Sequence, residues 1–213
     1  MRTIAFRSHF GLYWLAFVSA ATYLALLWRP VGGHYLIFSS AARAFWSGHA
    51  LYDTAFEFGL SGYFYSPACA AFFYAPFAFF PPAWGRALYV GTSLLLLAVS
   101  ISYLRKVYRK NFSAHIDSGF SGQMVWFVLS SEINGAILAE KLELTILALL
   151  FYSLALCWER KYALALGLLT LTASWKFQTL PVIGLVLICL GKWKGFWKYP
   201  AWVMGSLAFW FFL

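Results

Sequence analysis

Several ionisable side chains interrupt stretches of the sequence that are otherwise apolar. Lys176 breaks the long apolar run Tyr162–Leu190, and Glu132 lies inside a second such run. An ionised side chain within an apolar segment costs several kcal/mol and usually faces a polar cavity or a partner of opposite charge. The sequence therefore predicts a polar cavity in which Lys176 binds an anion such as the phosphate of a lipid.

The patch Glu140-Lys141-Leu142-Glu143 separates two apolar runs. An ammonium group binds phosphate as a point charge, so Lys141 is a second candidate phosphate contact. A different interpretation is that Glu140, Lys141 and Glu143 belong to an ordinary solvated loop. The residues alone leave both interpretations open.

The segment Arg29–Arg86 carries the candidate acid–base groups. Asp53 and Glu57 are carboxylates that could take a proton from a hydroxyl group, and a neutral His34 could do the same. Arg43 lies among apolar neighbours, which is typical of a helix in a membrane interface, and it is the third candidate phosphate contact. The alternatives are that His34 is a structural histidine and that Asp53 only forms a turn.

No residue pattern indicates a metal centre or a bound cofactor. The four histidines and three cysteines lack the spacing of metal ligands or of a disulfide framework. A glycine-rich phosphate loop and a serine-hydrolase motif are also missing. We therefore expect no metal and no cofactor, so that any chemistry would come from the ionisable side chains above.

The composition indicates which class of protein must position these groups. Of the 213 residues, 62% are hydrophobic and only 11% are charged, whereas soluble domains are about 45–50% apolar and about 25% charged. Aromatic residues reach 22%, and the mean hydropathy is +0.72. These values exclude a soluble globular domain, a disordered chain and a disulfide scaffold. We predict an all-α, polytopic helical membrane protein that forms a single membrane domain over residues 1–213.

Apolar runs of about 17–25 residues predict the membrane helices. The predicted spans are Leu12–Trp28, Ala87–Leu104, Phe120–Ala139, which is unusually polar, Leu142–Trp158 and a last, shorter run at Tyr199–Leu213. The run Tyr162–Leu190 is long for one helix and contains Pro181, so we predict two short helices that turn near Lys176.

The long segment 29–86, between the first and second clear runs, is predicted to be an outer loop with helices of its own. Leu36–Trp46 has a helical pattern that suits the membrane interface. Phe64–Trp84 is apolar but contains four prolines, which break a helix unless other groups satisfy the freed backbone. We therefore predict a broken, re-entrant or interfacial helix pair there, with one short span as the alternative.

The basic residues sort to one side of the predicted spans. The chain has 16 Lys and Arg against 7 Asp and Glu, which gives a net charge of +9. With alternating spans, eleven basic residues share one side: Arg2, Arg7, Arg105, Lys106, Arg109, Lys110, Arg160, Lys161, Lys192, Lys194 and Lys198. The positive-inside rule makes this side cytoplasmic, together with the N-terminus. The excess charge then reflects orientation, and we expect no nucleic-acid partner.

The order of short motifs along the chain resembles that of a known enzyme family. Val31-Gly32-Gly33 follows the first span, Leu51-Tyr52-Asp53 comes next, and an aromatic-proline stretch begins at Phe64-Tyr65-Ser66-Pro67. Lys176 and Pro181 follow in a later, broken span. From about residue 10 to 205 the chain resembles glycosyltransferase family 87. This is the polyprenyl-phosphate-mannose-dependent alpha-mannosyltransferase-like group of the membrane-embedded GT-C superfamily.

The resemblance implies a GT-C-like enzyme of the cell membrane that acts at the extracytoplasmic face. It would transfer a hexose such as mannose from a polyprenyl-phosphate donor to a hydroxyl of a lipid or glycan acceptor. A general base takes the proton of that hydroxyl while basic groups stabilise the departing phosphate. Membrane lipid, the lipid-linked donor and the acceptor are then the expected partners.

The chain departs from the family pattern in its base, its polar patch and its length. The family's base is an aspartate that precedes the Leu-Tyr-Asp element, and His34 occupies that position here. Residues 140–143 stand where the family has Gly-Gln-x-Asn, and family members are roughly twice as long, so that their C-terminal spans are missing. The alternatives are a non-catalytic, truncated or degenerate relative that binds lipid, a second chain that supplies the missing spans and, least favoured, a small-solute transporter.

Overall fold

The computed structural model describes residues 2–31, 33–49, 69–112 and 130–176. These residues form helices joined by short turns, and no strand occurs within those ranges, so the predicted all-α class is confirmed. The helices are α1 (Arg2–Leu27), α2 (Gly33–Trp46), a π-helical turn (Cys69–Tyr74), α3 (Ala75–Ala78), α4 (Pro82–Phe112), α5 (residues 130–138), α6 (Glu143–Trp158) and α7 (Tyr162–Trp175).

One helix of the described part of the chain, Pro82–Asn111, is long and apolar enough to cross a membrane. The other apolar helical segments have 10–17 residues: Tyr13–Leu27, Cys69–Ala78, Glu143–Trp158 and Tyr162–Ala173. Because a spanning helix needs about 20 residues, α4 is the helix that length and composition single out among the described residues.

The helices α4, α6 and α7 form the centre of the fold. The turn Glu159–Lys161 between α6 and α7 is short, so these two helices run antiparallel, and α6 packs most extensively on α4. A buried hydrogen bond of 2.8 Å joins the Ser93 and Thr145 hydroxyls across the contact between α4 and α6. Hydroxyl pairs of this kind hold helices together where the surroundings offer no water.

Helix α2 holds the short Cys69–Ala78 segment through three side chains that donate to backbone carbonyls. The Tyr35 hydroxyl donates to Phe77 O at 2.9 Å, Arg43 Nε to Ala78 O at 2.8 Å, and Trp46 Nε1 to Ala71 O at 2.9 Å. A π-helical turn and a four-residue helix leave carbonyls without partners of their own. The donors from α2 satisfy them, which explains why such a short segment keeps its shape.

Helix α4 begins earlier than the sequence predicts. The prolines of 64–84 do break the backbone, but the break falls at residues 79–81, and Pro82 is the first residue of α4. Proline is favoured at this first position because its missing N–H would have no partner there. Residues 82–84 therefore belong to the long helix and not to the broken pair.

Three turns of the described chain contain a residue in the left-handed region, at Gly48 (φ 73°), Glu140 (φ 56°) and Arg160 (φ 63°). After α5, Lys141 N–H donates to Ala136 O at 2.9 Å, and after α6 and α2 the same pattern of hydrogen bonds recurs. This is the Schellman arrangement, which favours glycine. The left-handed conformation of Glu140 and of Arg160 therefore costs roughly 1 kcal/mol of folding free energy at each position.

We expect Gly85→Ala to destabilise the protein by about 1–3 kcal/mol, because the site has no room for a methyl group. An added Cβ at Gly85 would overlap the Tyr35 hydroxyl and the carbonyl oxygen of Phe77. The thermal unfolding midpoint in detergent measures the effect. Gly167→Ala is the matched control, because nothing lies within 4 Å of a Cβ at Gly167, and alanine stabilises a helix interior by about 1 kcal/mol. Equal midpoints for the two variants would contradict this packing.

The two ends of the helix bundle differ in charge. At one end, the Tyr103 hydroxyl of α4 donates to Glu159 at 2.6 Å, and Lys161 pairs with Glu159 at 2.7 Å. The basic residues that end α4 and those of the turn between α6 and α7 therefore share this end. At the opposite end α1, α5 and α7 finish, and α2, α4 and α6 begin.

Candidate functional site

The end of the bundle opposite Glu159 collects ionisable groups from separate elements. His34 lies in the first turn of α2, Lys141 in the turn between α5 and α6, and Glu143 at the start of α6. Lys176 directly follows α7. The charges of Glu143, Lys141 and Lys176 all act on the His34 imidazole, so the four groups lie within electrostatic range of one another. We call these four residues the charged cluster.

An ion pair within the charged cluster explains where α7 ends. Lys176 Nζ donates to Glu143 Oε1 at 2.5 Å, and Lys176 leaves the helix with an extended backbone (φ −144°, ψ 96°). The extended residue directs its ammonium group toward the first turn of α6. The predicted break near Lys176 is therefore present, whereas the second short helix of that prediction lies outside the described residues.

A cleft of about 360 Å³ opens between α5 and α6. Its polar side carries three ionisable groups, Glu132, Lys141 and Glu143. Its apolar side consists mainly of α6 side chains, among them Leu144, Leu147 and Leu150. A cleft that combines charged side chains with an apolar wall suits an amphiphilic ligand. This cleft lies beside Lys141, and Lys176 is bonded to its lining residue Glu143. Most of its lining residues are apolar, whereas the sequence predicts a polar cavity around Lys176.

A buried ion pair lies next to the charged cluster. Arg86 Nη1 is 3.4 Å from Glu140 Oε1, and the two side chains are 2% and 3% exposed. The guanidinium also donates to Pro30 O and Arg29 O, both at 2.8 Å, and the Tyr35 N–H donates to Glu140 Oε2 at 3.3 Å. This pair joins the α1–α2 connection, α2, α4 and the α5–α6 turn. The solvated-loop interpretation is therefore wrong for Glu140, because the left-handed turn directs its carboxylate inward.

Burial controls the protonation of Glu140. Desolvation raises the pKa of its carboxyl to about 7, although Arg86 and the Tyr35 N–H oppose the shift. A carboxyl of an unfolded chain has a pKa of about 4.3. Glu140 therefore binds a proton more tightly in the folded protein than in the unfolded chain.

This difference predicts that stability falls as pH rises from about 4.5 to 7 and then levels off. Within that window the folded state holds more protons than the unfolded state, so each pH unit removes stability, in total on the order of 1–3 kcal/mol. Unfolding midpoints measured from pH 4.5 to 8 test the prediction. Glu140→Gln cannot titrate and should flatten the profile; an unchanged slope in that variant would assign the dependence to other groups.

His34 is partly buried at the start of α2. Its ring stacks on Phe38 with a centroid distance of 6.1 Å. Burial lowers the pKa of His34 below its ordinary value, Glu143 raises it, and Lys141 and Lys176 lower it further. The imidazole is therefore neutral near pH 7, which is the form that accepts a proton.

Of the remaining predicted site residues, only Arg43 lies in the described part of the chain, and it stands apart from the charged cluster. Arg43 Nε is occupied by the Ala78 carbonyl, and Arg43 is not among the residues that line the α5–α6 cleft. Asp53 and Glu57 lie outside the described residues. Of the six predicted residues, the described structure thus brings together His34, Lys141 and Lys176.

Two residues of this end are not singled out as site residues by the sequence. Glu143 is present in the polar patch but reads equally well as part of a solvated loop, and Arg86 only marks the end of the outer segment. The distribution of charges along the sequence could have pointed to the Arg86–Glu140 pair. The predicted topology places these two oppositely charged residues on the same side of the membrane. A pair of this kind, far from the eleven clustered basic residues, favours an internal ion pair.

Comparisons of the chain with protein-family models, with curated proteins and with solved structures return no match.

Proposed function

We propose that this chain is a membrane glycosyltransferase of the GT-C type, which transfers a mannose-like hexose from a polyprenyl-phosphate sugar to a hydroxyl of a lipid or glycan acceptor. The observation that carries the proposal is the α5–α6 cleft, which combines Lys141 at its polar end with an apolar wall of leucines. A polyprenyl phosphate has the same two parts, an anionic head and an apolar chain. The resemblance in motif order to glycosyltransferase family 87 supports the choice of reaction.

A location in the cell membrane, with several spans, is part of this proposal. Large apolar side chains are exposed along α1 and α4, including Phe17 (68%), Leu24 (57%) and Leu95 (65%). An apolar surface of this extent is costly in water and is the expected exterior of a helix in lipid. The positive-inside rule then orients the bundle with Glu159 and Lys161 in the cytoplasm and the charged cluster at the extracytoplasmic face.

The proposed reaction assigns one role to each described group. The acceptor oxygen forms a bond to C1 of the sugar while the bond from C1 to the phosphate oxygen breaks. The phosphate leaves with that electron pair and is stabilised by Lys141 and Lys176. The proton of the acceptor hydroxyl passes to the neutral imidazole of His34, so that atoms and charge balance.

The test is sugar transfer by the full chain in lipid nanodiscs that contain radiolabelled polyprenyl-phosphate-mannose and a panel of lipid acceptors. We expect radiolabel to move to an acceptor and the donor to bind. Gly135→Leu should lose most of both signals, because Gly135 lines the cleft and has open space beside it. Gly167→Leu is the matched control in α7.

Three results would contradict the proposal. Donor binding without transfer would favour the non-catalytic relative that binds lipid. An unchanged rate of sugar transfer in the Gly135→Leu variant would show that the reaction does not take place in the α5–α6 cleft. Uptake of a solute into vesicles, without donor binding, would favour a transporter.

A further inference from the structure

We infer that the cytoplasmic end of the helix bundle binds the headgroup of an anionic phospholipid, where the end of α4 meets the turn that joins α6 to α7. The binding groups are five exposed basic side chains, which we call the basic patch: Lys106, Arg109, Lys110, Arg160 and Lys161. A bound lipid goes beyond the positive-inside rule, which concerns only the orientation of the chain. The inference rests on the proposed location in the membrane and does not depend on sugar transfer.

Side-chain contacts hold the two halves of the basic patch together. The Tyr103 hydroxyl of α4 donates to Glu159 in the α6–α7 turn at 2.6 Å, and the Tyr108 ring lies against Trp158 with a centroid distance of 5.7 Å. The positive charge of Lys110, at the end of α4, also acts on the Glu159 carboxylate. The cations that end α4 and those of the turn therefore lie close together.

The acids near the basic patch are too few to neutralise it. Within the described ranges, Glu159 is the one carboxylate at this end of the bundle, and the same oxygen of Glu159 contacts the Tyr103 hydroxyl and, at 2.7 Å, Lys161. Among the described residues, Lys161 is also the only member of the basic patch that forms an ion pair. Like charges that lie close together repel one another, so an anion that binds among them lowers the electrostatic free energy of the folded chain.

The helix dipoles explain some of these cations but not all of them. Arg109 and Lys110 lie in the last turn of α4, where the dipole favours positive charge. Arg160 and Lys161 lie between the C-terminal end of α6 and the N-terminal end of α7, whose dipoles favour opposite charges. Arg160 also has a left-handed backbone (φ 63°), which glycine adopts at no cost. The fold therefore gives no reason for an arginine at this position, whereas a bound anion supplies one.

The surroundings of the basic patch favour a lipid over a soluble polyanion. Leu164, one helical turn after Lys161, is 62% exposed, and the rings of Tyr108, Trp158 and Tyr162 are half-buried at the same end of the bundle. Aromatic rings at the border between an apolar surface and cations are typical of the headgroup level of a membrane. Clustered Lys and Arg directly beside a membrane helix attract the anionic lipids of the cytoplasmic leaflet. A phospholipid matches both parts, with a phosphate for the cations and acyl chains for the apolar helix surface.

Native mass spectrometry of the full chain in neutral detergent tests the inference, with phosphatidylglycerol and phosphatidylcholine of the same acyl chains as probes. We expect the wild-type protein to bind phosphatidylglycerol about tenfold or more tightly, because the choline ammonium is repelled by the basic patch. Arg160→Gly should lower this preference about fivefold, the usual contribution of one basic residue near an anionic surface. The unfolding midpoint of this variant should not fall, since glycine suits the left-handed turn.

Three further variants locate the lipid. Lys110→Gln removes a cation from α4 and should lower the preference by a similar factor. Arg160→Lys keeps the charge and should keep the preference. Arg29→Gln is the matched control, because Arg29 is an exposed arginine at the opposite end of the bundle.

Several outcomes would overturn the inference. Equal binding of the two lipids by the wild-type protein would do so without any variant. A preference that survives both Arg160→Gly and Lys110→Gln, or that Arg29→Gln lowers as much, would place the lipid elsewhere. Binding of a single-stranded oligonucleotide without a lipid preference would assign the basic patch to nucleic acid. A protein that prefers phosphatidylglycerol but transfers no sugar would keep the lipid site and remove the proposed enzymatic function, so the two failures are distinguishable.

Discussion

His34→Ala is expected to lower the rate of sugar transfer by about 10²–10⁴-fold, which is the usual contribution of a general base. Within the proposed mechanism, His34 is the described group that is neutral near pH 7 and lies within range of both lysines of the charged cluster. Loss of the imidazole removes the proton acceptor but leaves the cleft unchanged. Donor binding should therefore stay close to that of the wild-type protein while turnover falls.

The pH dependence of sugar transfer is a second test of His34 as the base. Because burial lowers the pKa of His34 below about 6.5, transfer by the wild-type protein should stay constant from pH 8 to 7 and decline only below that pKa. His49→Ala is the control, because His49 is exposed after α2. Wild-type rates in His34→Ala would refute the assignment of the base and would direct attention to Asp53 or Glu57.

Arg86→Ala is expected to destabilise the protein by about 3–5 kcal/mol. The substitution leaves the buried Glu140 carboxylate without its ion-pair partner and removes the donors to the Arg29 and Pro30 carbonyls. Both losses occur at side chains that are almost fully buried, so water cannot replace the partners. Urea or thermal unfolding in detergent, followed by tryptophan fluorescence, measures the loss.

Two further variants test whether the loss of stability comes from the ion pair between Arg86 and Glu140. Arg109→Ala removes an exposed arginine from the same helix and should change stability by less than about 0.5 kcal/mol. Glu140→Gln combined with Arg86→Ala should recover part of the loss, because the amide removes the carboxyl that, without Arg86, must stay charged and unpaired or take up a proton. If the double variant is as unstable as the sum of the single variants, the two residues are not coupled.

The helices could be predicted from the sequence because their signals are local. The run 142–158 becomes α6, the pattern 36–46 lies within α2, and both helices end where predicted. The start of α4 could not be placed, because Pro82 is compatible with both a break and a first helical turn. In the structure Tyr35 packs closely on Gly85 in the first turn of α4, and no local pattern specifies this contact.

The candidate site was less predictable, because it depends on which turns meet. Lys141 and Lys176 can be identified by residue type, because an ionisable group among apolar neighbours requires a partner or a cavity. His34 is identified only by its position in the motif order that resembles glycosyltransferase family 87. The pairings of Lys176 with Glu143 and of Arg86 with Glu140 join residues 33 and 54 positions apart. No local pattern specifies such pairings. The left-handed turn at Glu140 could not be predicted either, because such a turn is usually recognised by a glycine and this one has a glutamate.

The pairing of Arg86 with Glu140 also has a consequence for the order of assembly during synthesis. The Arg29 and Pro30 carbonyls precede Arg86 in the chain, so they exist before the guanidinium emerges. Glu140 follows 54 residues later, which is roughly 3–10 s at the usual speed of a ribosome. During that interval backbone carbonyls can accept hydrogen bonds from the guanidinium but leave its charge in place, and the carboxylate that neutralises it follows in the turn between α5 and α6. The α5–α6 turn is therefore made after the α1–α2 connection and α4, and it completes the ion pair that joins them.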